Sequence, residues 1–355
     1  MIRVITKRYR IDEVKPGMEL AGSLITDNDK FALGEGTVLT PNLIQRLKGW
    51  GVSVVDIRHV VDSAEKEPPP LSETQVALSS GYNDTVGTLK RSFETVRFFK
   101  QVPLKEMREL ADSALEPFIN TSGILNHLQA VQRQDDYTFY HSIDVAVLCG
   151  VVGRWLGYRG EELKDLVLAG LLHDIGKTQI PLEILRKPGK LTPAEMEIMR
   201  LHTTRGYNLV KELGLPASVM YAILQHHERE DGSGYPIQVS GAKIHPFAKV
   251  VAVVDIYDAM TSDKVYSKKA TPFAAVEALM RDMYDKLDPN ICAVFLNNVR
   301  DYFIGNVVLL SDGREAEVVY LGKFISARPV VRDENGEFID LESKKDLSIV
   351  KVIRT

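Results

Sequence analysis

Two cysteines, Cys149 and Cys292, are too few in 355 residues for a disulfide framework. Cys149 lies in the apolar run Val145 to Val152, which predicts a buried, reduced thiol. Long hydrophobic runs are missing as well: every apolar stretch falls far short of the ~18 residues that span a bilayer. The opening stretch Met1 to Lys7 has no long apolar segment of the secretory kind. There is no surplus of positive charge, since 44 Lys and Arg against 48 Asp and Glu leave a net charge of −4. No global field therefore attracts a nucleic-acid polymer, and an anionic ligand must meet a local basic site. The resulting expectation is a cytoplasmic protein that takes neither membrane nor nucleic-acid polymer as a partner. The 25 Gly and 16 Pro follow no repeat, which excludes a collagen-like chain. A hydrophobic share of 45% with 26% charged residues excludes a wholly disordered one. The length argues for two or three domains of ~100–200 residues each.

Residues 1–61 read as a small α+β accessory module. Asp27 to Lys30 marks a turn between the strand-like runs Glu19–Thr26 and Phe31–Leu33. Thr40 offers an N-cap and Pro41 the first helical position, with Gly49 and Gly51 ending that helix. Residues 62–75 form a linker stiffened by Pro68, Pro69 and Pro70. Residues 76–130 read as a helical connector. In it Val86, Leu89, Phe93 and Val96, then Leu104, Met107, Leu110, Ala114 and Phe118, recur at helical spacing. That stripe over 82–119 suits either packing within the domain or a homodimer seam. Residues 131–304 are a run of helices. Leu191 to Met196 has a capping box with Pro193 at the first position, and the pattern predicts a helix to Gly214. Further helices are expected over 217–228, 246–260, 272–285 and 290–302. The tail, 305–355, switches to period two, with hairpin signals at Asp312-Gly313 and Asn335-Gly336. The fold class is thus an all-α helical bundle core with a small α+β N-terminal module and a small antiparallel β C-terminal module.

Polar residues punctuate the apolar helices. His173-Asp174 follows the apolar stretch ending in Leu171-Leu172, and His226-His227 follows Val219 to Leu224. Asp255 follows Val250 to Val254, where a carboxylate needs a cation or a hydrogen-bonded partner. Asp258 lies one turn later on the same face. His141 and His202 stand on two further helices, although His202 alone reads as a satisfied core histidine. Imidazoles and carboxylates together suit iron, manganese or zinc, and their placement points to one inward-facing cluster. Lys177 lies three residues after Asp174 and supplies a point charge for a phosphate oxygen. A Gly-rich loop, Glu228 to Pro236, follows the histidine pair, and its Tyr235 serves either function or packing. Lys264, Lys268 and Lys269 add positive charge beyond Asp258. His59 and His127 read as surface residues and His245 as a helix cap.

Three stretches carry a family resemblance. They are His173-Asp174-Ile175-Gly176-Lys177, His226-His227-Glu228-Arg229 with Asp231-Gly232-Ser233-Gly234-Tyr235-Pro236, and Asp255-Ile256-Tyr257-Asp258-Ala259-Met260-Thr261-Ser262-Asp263. With Tyr137 to Ser142 they resemble the HD-GYP subgroup of HD-domain phosphohydrolases over about residues 130–300. The resemblance implies an HD-type helical core and a cyclic di-GMP phosphodiesterase, with linear pGpG or GMP as the final product. It implies that His141, His173, Asp174 and Asp255 hold one divalent metal, iron or manganese. Asp174 would bridge to a second held by His202, His226 and His227. Catalysis would rest on Asp174 and Lys177, and substrate would meet Lys177, Asp258, Lys264 and Tyr235. The Gly234-Tyr235-Pro236 loop would lie near the site or serve a protein partner. Some members carry a glutamate where this chain has Tyr137, tied to a third metal, so two metals are expected here. The family often has arginines where this chain has Lys264 and Ser267, and lysine lacks the bidentate fork. The competing readings are an HD phosphohydrolase acting on another nucleotide such as cyclic GMP-AMP, a cyclic-dinucleotide effector without turnover, and a di-iron oxygenase.

Overall fold

The computed structural model describes residues 2–25, 31–62, 73–121, 124–125, 128, 137–262, 270–322 and 328–354. The chain divides into two compact units, residues 1–70 together with 300–355, and residues 71–299.

In the first unit, β1 (Ile2–Arg10) runs antiparallel to β5 (Val54–Asp62), and β2 (Glu19–Leu20) pairs with the other side of β5. A two-stranded ribbon joins β3 (Leu24–Ile25) to β4 (Phe31–Leu33). The turn expected at Asp27 to Lys30 lies outside the described residues. The helix Pro41–Gly49 begins as its sequence dictates, with the Thr40 hydroxyl accepting from the Leu43 amide. The tail forms a five-stranded antiparallel sheet in the order β10-β6-β7-β8-β9. Its strands are β6 (Val307–Leu310), β7 (Glu315–Tyr320), β8 (Val330–Asp333), β9 (Phe338–Asp340) and β10 (Ile349–Arg354). Gly313 and Gly336 take positive φ, 90° and 77°, in the two turns that the sequence marked.

The two ends of the chain, read as separate modules, share one core. Ile11, Met18, Leu20, Leu39, Leu47 and Ile57 pack in one cluster with Val330 and Phe338 of the tail. The Lys15 ammonium donates to the Phe338 carbonyl at 2.5 Å. Gly17, at φ 94°, comes so close to β7 that a Cβ there would meet the Tyr320 Cβ at 2.9 Å. The pairing is long-range in sequence.

In the second unit, the helix Glu73–Phe99 buries Val86, Leu89, Phe93 and Val96, and the following turns bury Met107, Leu110 and Phe118. These residues of the 82–119 stripe therefore pack within the chain, whereas Phe98 and Phe99 are exposed at 76% and 70%. The prolines at 68–70 lie outside the described residues. The helices Tyr137–Trp155 and Gly160–Leu172 touch at Gly170, where a Cβ would sit 2.9 Å from the Cys149 sulfur and 3.0 Å from the Ala146 Cα. The helix expected to run to Gly214 is broken at Leu201 into Pro193–Arg200 and His202–Val210. There His202 and Thr203 turn their side chains back onto the Met199 and Arg200 carbonyls, local bonding that bends or ends helices. The Thr192–Glu195 capping box with Pro193 forms as expected. Ala217–Gln225, Pro246–Thr261, Pro272–Asp282 and Pro289–Val299 complete the unit. Pro246–Thr261 is buried over most of its length, with Tyr257 against Phe295 at 5.0 Å. Both cysteines are buried and free. Among the described residues, no helix is long and apolar enough to cross a membrane.

The shared core of the first unit is open to test. Phe338→Ala removes a buried aromatic and should cost about 3–5 kcal/mol. Hydrogen exchange should accelerate in residues 11–57 as well as in the tail, while residues 137–261 keep their protection. Acceleration confined to the tail would contradict a common core.

Candidate metal centre

Each helix end or face delivers its polar residues to one place. His141 sits on the first turns of Tyr137–Trp155, and His173 closes Gly160–Leu172. Asp174 caps the 3₁₀ turn Ile175–Gln179. His202 opens the helix that follows the break at Leu201, so it is a helix-start residue rather than a mid-helix one. His226 and His227 follow Ala217–Gln225, and Asp255 projects from the middle of Pro246–Thr261. The ligand atoms of His141, His173 and Asp255 lie within 4.8 Å of one another, as do those of His202, His226 and His227, and those of His173, Asp174 and His226.

Asp174 stands between the two histidine groups. Its Oδ2 lies 3.3 Å from His173 Nε2 and 3.7 Å from His141 Nε2, while its Oδ1 lies 3.4 Å from His202 Nε2. His141 Nε2 is also 3.1 Å from Asp255 Oδ1, and His202 Nε2 is 3.3 Å from His226 Nε2. All but His227 are buried or nearly so. His173 Nε2 and Asp174 Oδ1 have no hydrogen-bond partner although both are buried. Unpaired buried polar atoms aimed into a nest of nitrogen and oxygen donors are what a divalent cation satisfies. The clusters are able to bind metal ions.

The protonation states suit that use. Burial holds His202 down to about 4 and holds His226 and His227 well below the usual range, so these rings stay neutral. Burial also opposes charge on His141, but Asp255 and Asp258 outweigh it and raise that ring to about 9. Burial would raise Asp174 and Asp255, yet both are held well below the carboxylate range. Lys177 and the nearby rings act on Asp174, and His141 acts on Asp255.

The remaining candidates divide. The Lys177 ammonium sits at the rim, 2.5 Å from Asp174 Oδ2. Asp258 is buried, with Oδ2 2.7 Å from His141 Nδ1 and Oδ1 accepting from the Ser262 hydroxyl at 2.8 Å. It faces the back of the His141 ring. The Tyr235 ring lies 4.7 Å from the His227 ring between centroids, and the Arg200 guanidinium stands 5.3 Å from its centroid. It packs over the cluster. Lys264, Ser267, Lys268 and Lys269 lie outside the described residues, as do Asp135, Asp136 and His127. His245 is a helix cap, its Nδ1 accepting from the Phe247 amide.

Several positioning residues were not singled out from sequence. A Cβ on Gly176 would lie 1.8 Å from the His202 carbonyl oxygen, so the His173–Lys177 turn and the His202 helix touch through bare backbone. Gly234 likewise packs on the His227–Glu228 backbone, 2.4 Å from the Glu228 Cα to a built Cβ. Buried Glu228 accepts from the Ile237 and Gln238 amides at 2.7 and 3.0 Å and so fastens the far side of the Gly-rich loop. Arg97, on Glu73–Phe99, donates to the Lys177 and Ile180 carbonyls at 3.0 Å each. The signal for the glycines was present, since each interrupts a polar motif where close backbone approach is the usual reason for glycine.

A family model described as HD domain matches residues 107–291, so it begins inside the stretch read as a connector. The chain is 34% identical over 225 residues to the cyclic di-GMP phosphodiesterase PA4108 of Pseudomonas aeruginosa, covering 62% of this chain and 54% of that protein. It is 36% identical over 176 residues to the 3'3'-cGAMP-specific phosphodiesterase 1 of Vibrio cholerae, covering 49% and 40%. It is 38% identical over 179 residues to a cyclic di-GMP phosphodiesterase of Thermotoga maritima, covering 49% and 47%. The chain thus spans about half the length of the curated relatives it matches. Among solved structures, the HDG"Y"P protein Bd1817 of Bdellovibrio bacteriovorus shares the fold at a TM-score of 0.53 and 17% identity, covering 83% of this chain and 99% of that one.

Two outcomes are expected. Gly176→Ala should destabilise the protein by about 3 kcal/mol, the upper end of ordinary overpacking, and weaken metal uptake by shifting His202. Chemical unfolding and a metal titration on the same sample check this. Metal uptake at pH 7.5 should also release about one proton, because His141 at about 9 is protonated there and must lose its Nε2 proton to coordinate. Apparent affinity should therefore rise with pH up to about 9. Calorimetry in buffers of different ionisation enthalpy measures the release.

Proposed function

We propose that this chain, which belongs to the HD-domain family, is a metal-dependent phosphodiesterase that hydrolyses cyclic di-GMP to linear pGpG. The observation that carries the reading is the single buried carboxylate of Asp174, set between two histidine groups with Lys177 at its edge. His141, His173, Asp174 and Asp255 would hold one divalent cation. Asp174, His202, His226 and His227 would hold the second. Iron and manganese suit this mixed imidazole–carboxylate set. When bound, such a pair supplies Lewis acidity that activates water at neutral pH and clamps the oxygens of an in-line displacement.

The chain's own residues then do the rest. The Lys177 ammonium offsets charge developing on a non-bridging phosphoryl oxygen, an interaction that is strongest in the transition state. Asp174 fixes the distance between the two histidine groups. Burial of the rings keeps them neutral and able to donate lone pairs at physiological pH. Glu228 and Gly234 hold the Gly-rich loop against the cluster, and Tyr235 packs on His227. Cleavage of one 3′ P–O bond in the cyclic ring yields pGpG, and a second cleavage yields GMP. The names of the Pseudomonas and Thermotoga relatives support cyclic di-GMP, whereas the Vibrio relative makes cyclic GMP-AMP the second substrate to assay.

Protein loaded anaerobically with iron or manganese is expected to convert cyclic di-GMP to pGpG, followed by chromatography, and to prefer it over cyclic GMP-AMP. Absence of turnover with both metals would sink the proposal. Lys177→Ala should lower kcat by about 10²- to 10³-fold while metal content stays whole, in line with loss of one charge-stabilising group. Oxygen uptake on adding substrate, without phosphodiester cleavage, would point to the oxygenase reading instead.

A further inference from the structure

We infer that Asp258 is a positioning residue that makes the two cation positions unequal, so that the His141 position fills first. This rests on the metal-dependent reading above. A ligating imidazole uses one ring nitrogen for the cation, and the partner of its other nitrogen fixes the ring and sets its basicity. Three of the rings here have the same neutral backing. Nδ1 of His173, His202 and His226 lies 2.8, 2.8 and 3.0 Å from the carbonyl oxygen three residues earlier, at Gly170, Met199 and Ile223. His141 differs. Its Nδ1 faces a carboxylate, Asp258 Oδ2, at 2.7 Å, and that carboxylate comes from another helix.

The arrangement is built to keep the carboxylate in place. Asp258 is buried at 3% exposure, and its second oxygen is held by the Ser262 hydroxyl at 2.8 Å, one turn along the same helix. A hydrogen bond to an ionised acceptor is roughly twice as strong as one to a neutral carbonyl. Away from water it also pushes electron density onto the opposite ring nitrogen, Nε2, which points at Asp255 and Asp174. The His141 position therefore has Asp255, a share of Asp174, and a third carboxylate one ring removed. The His202, His226 and His227 position has its share of Asp174, and Asp255 reaches it only at a distance, its Oδ2 4.0 Å from His227 Nδ1. Opposite charge accumulates on one side of the bridge, and the cation there is held more tightly.

The experiment titrates apo-protein with Mn(II) alone, free Mn(II) being read by its electron paramagnetic resonance. The wild type is expected to take up two equivalents in separate steps, and His202→Ala to remove the weaker one. Asp258→Asn keeps the shape but loses the charge. It should weaken the tight step by roughly 10- to 100-fold and leave the weak step alone, so that the two steps merge. Circular dichroism and unfolding of the apo-variant should match the wild type. Should Asp258→Asn fail to fold, Ser262→Ala loosens the same carboxylate and should weaken the tight step several-fold. Both constants staying within twofold of wild type, or loss falling on the weak step, would overturn the inference. A wild type that binds no Mn(II) would overturn it together with the metal reading. A wild type that binds two equivalents but leaves cyclic di-GMP intact sinks the substrate assignment alone.

Discussion

The molecule depends on an electrostatic debt in a dry place. Two ionised carboxylates and five imidazoles occupy the centre of a helical bundle whose surrounding helices are almost wholly apolar. In the absence of cations, Asp174 lies against Lys177 and the His173 and His202 rings, and Asp255 against His141 and His227. Such a cluster costs stability unless it is filled, and no packing argument explains its presence. Function does. The fold accepts a poor core at one point in order to hold donor atoms at fixed separations, and the glycines at 170, 176 and 234 let backbones approach closely enough to do so.

Much of this site is legible from sequence because the polar residues interrupt apolar helices. His173-Asp174 after Leu171-Leu172, and Asp255 after five apolar residues, are readable as inward-facing since their neighbours have nowhere else to go. His202 was less legible because the helix break at Leu201 has no proline or glycine to announce it. The break comes from side chains bonding backward to the carbonyls, which composition does not reveal. Asp258 shows a different limit. Spacing of three residues from Asp255 gives the face, but not whether the carboxylate looks into the site or at the back of a ring.

The fold has the same division between local and distant information. Capping at Thr40 and Thr192, and the glycine turns at 313 and 336, are set by neighbours in the chain and are readable there. The common core of the first unit joins Met18 and Leu20 to Phe338 across some three hundred residues of sequence. No pattern in either segment names the other. The apolar stripe of 82–119 was ambiguous for a related reason, since periodicity says that a face is covered without saying by what.

Arg97 gives the reactive turn a mechanical handle. Its guanidinium grips the Lys177 and Ile180 carbonyls from a 27-residue helix that also carries Tyr82, fifteen residues earlier and hydrogen-bonded to Asp144 one turn beyond His141. One rigid rod thus touches two of the segments that supply the centre, at points far apart along its own axis. A shift of that helix would bear on the lysine turn through Arg97 and on the histidine helix through Tyr82.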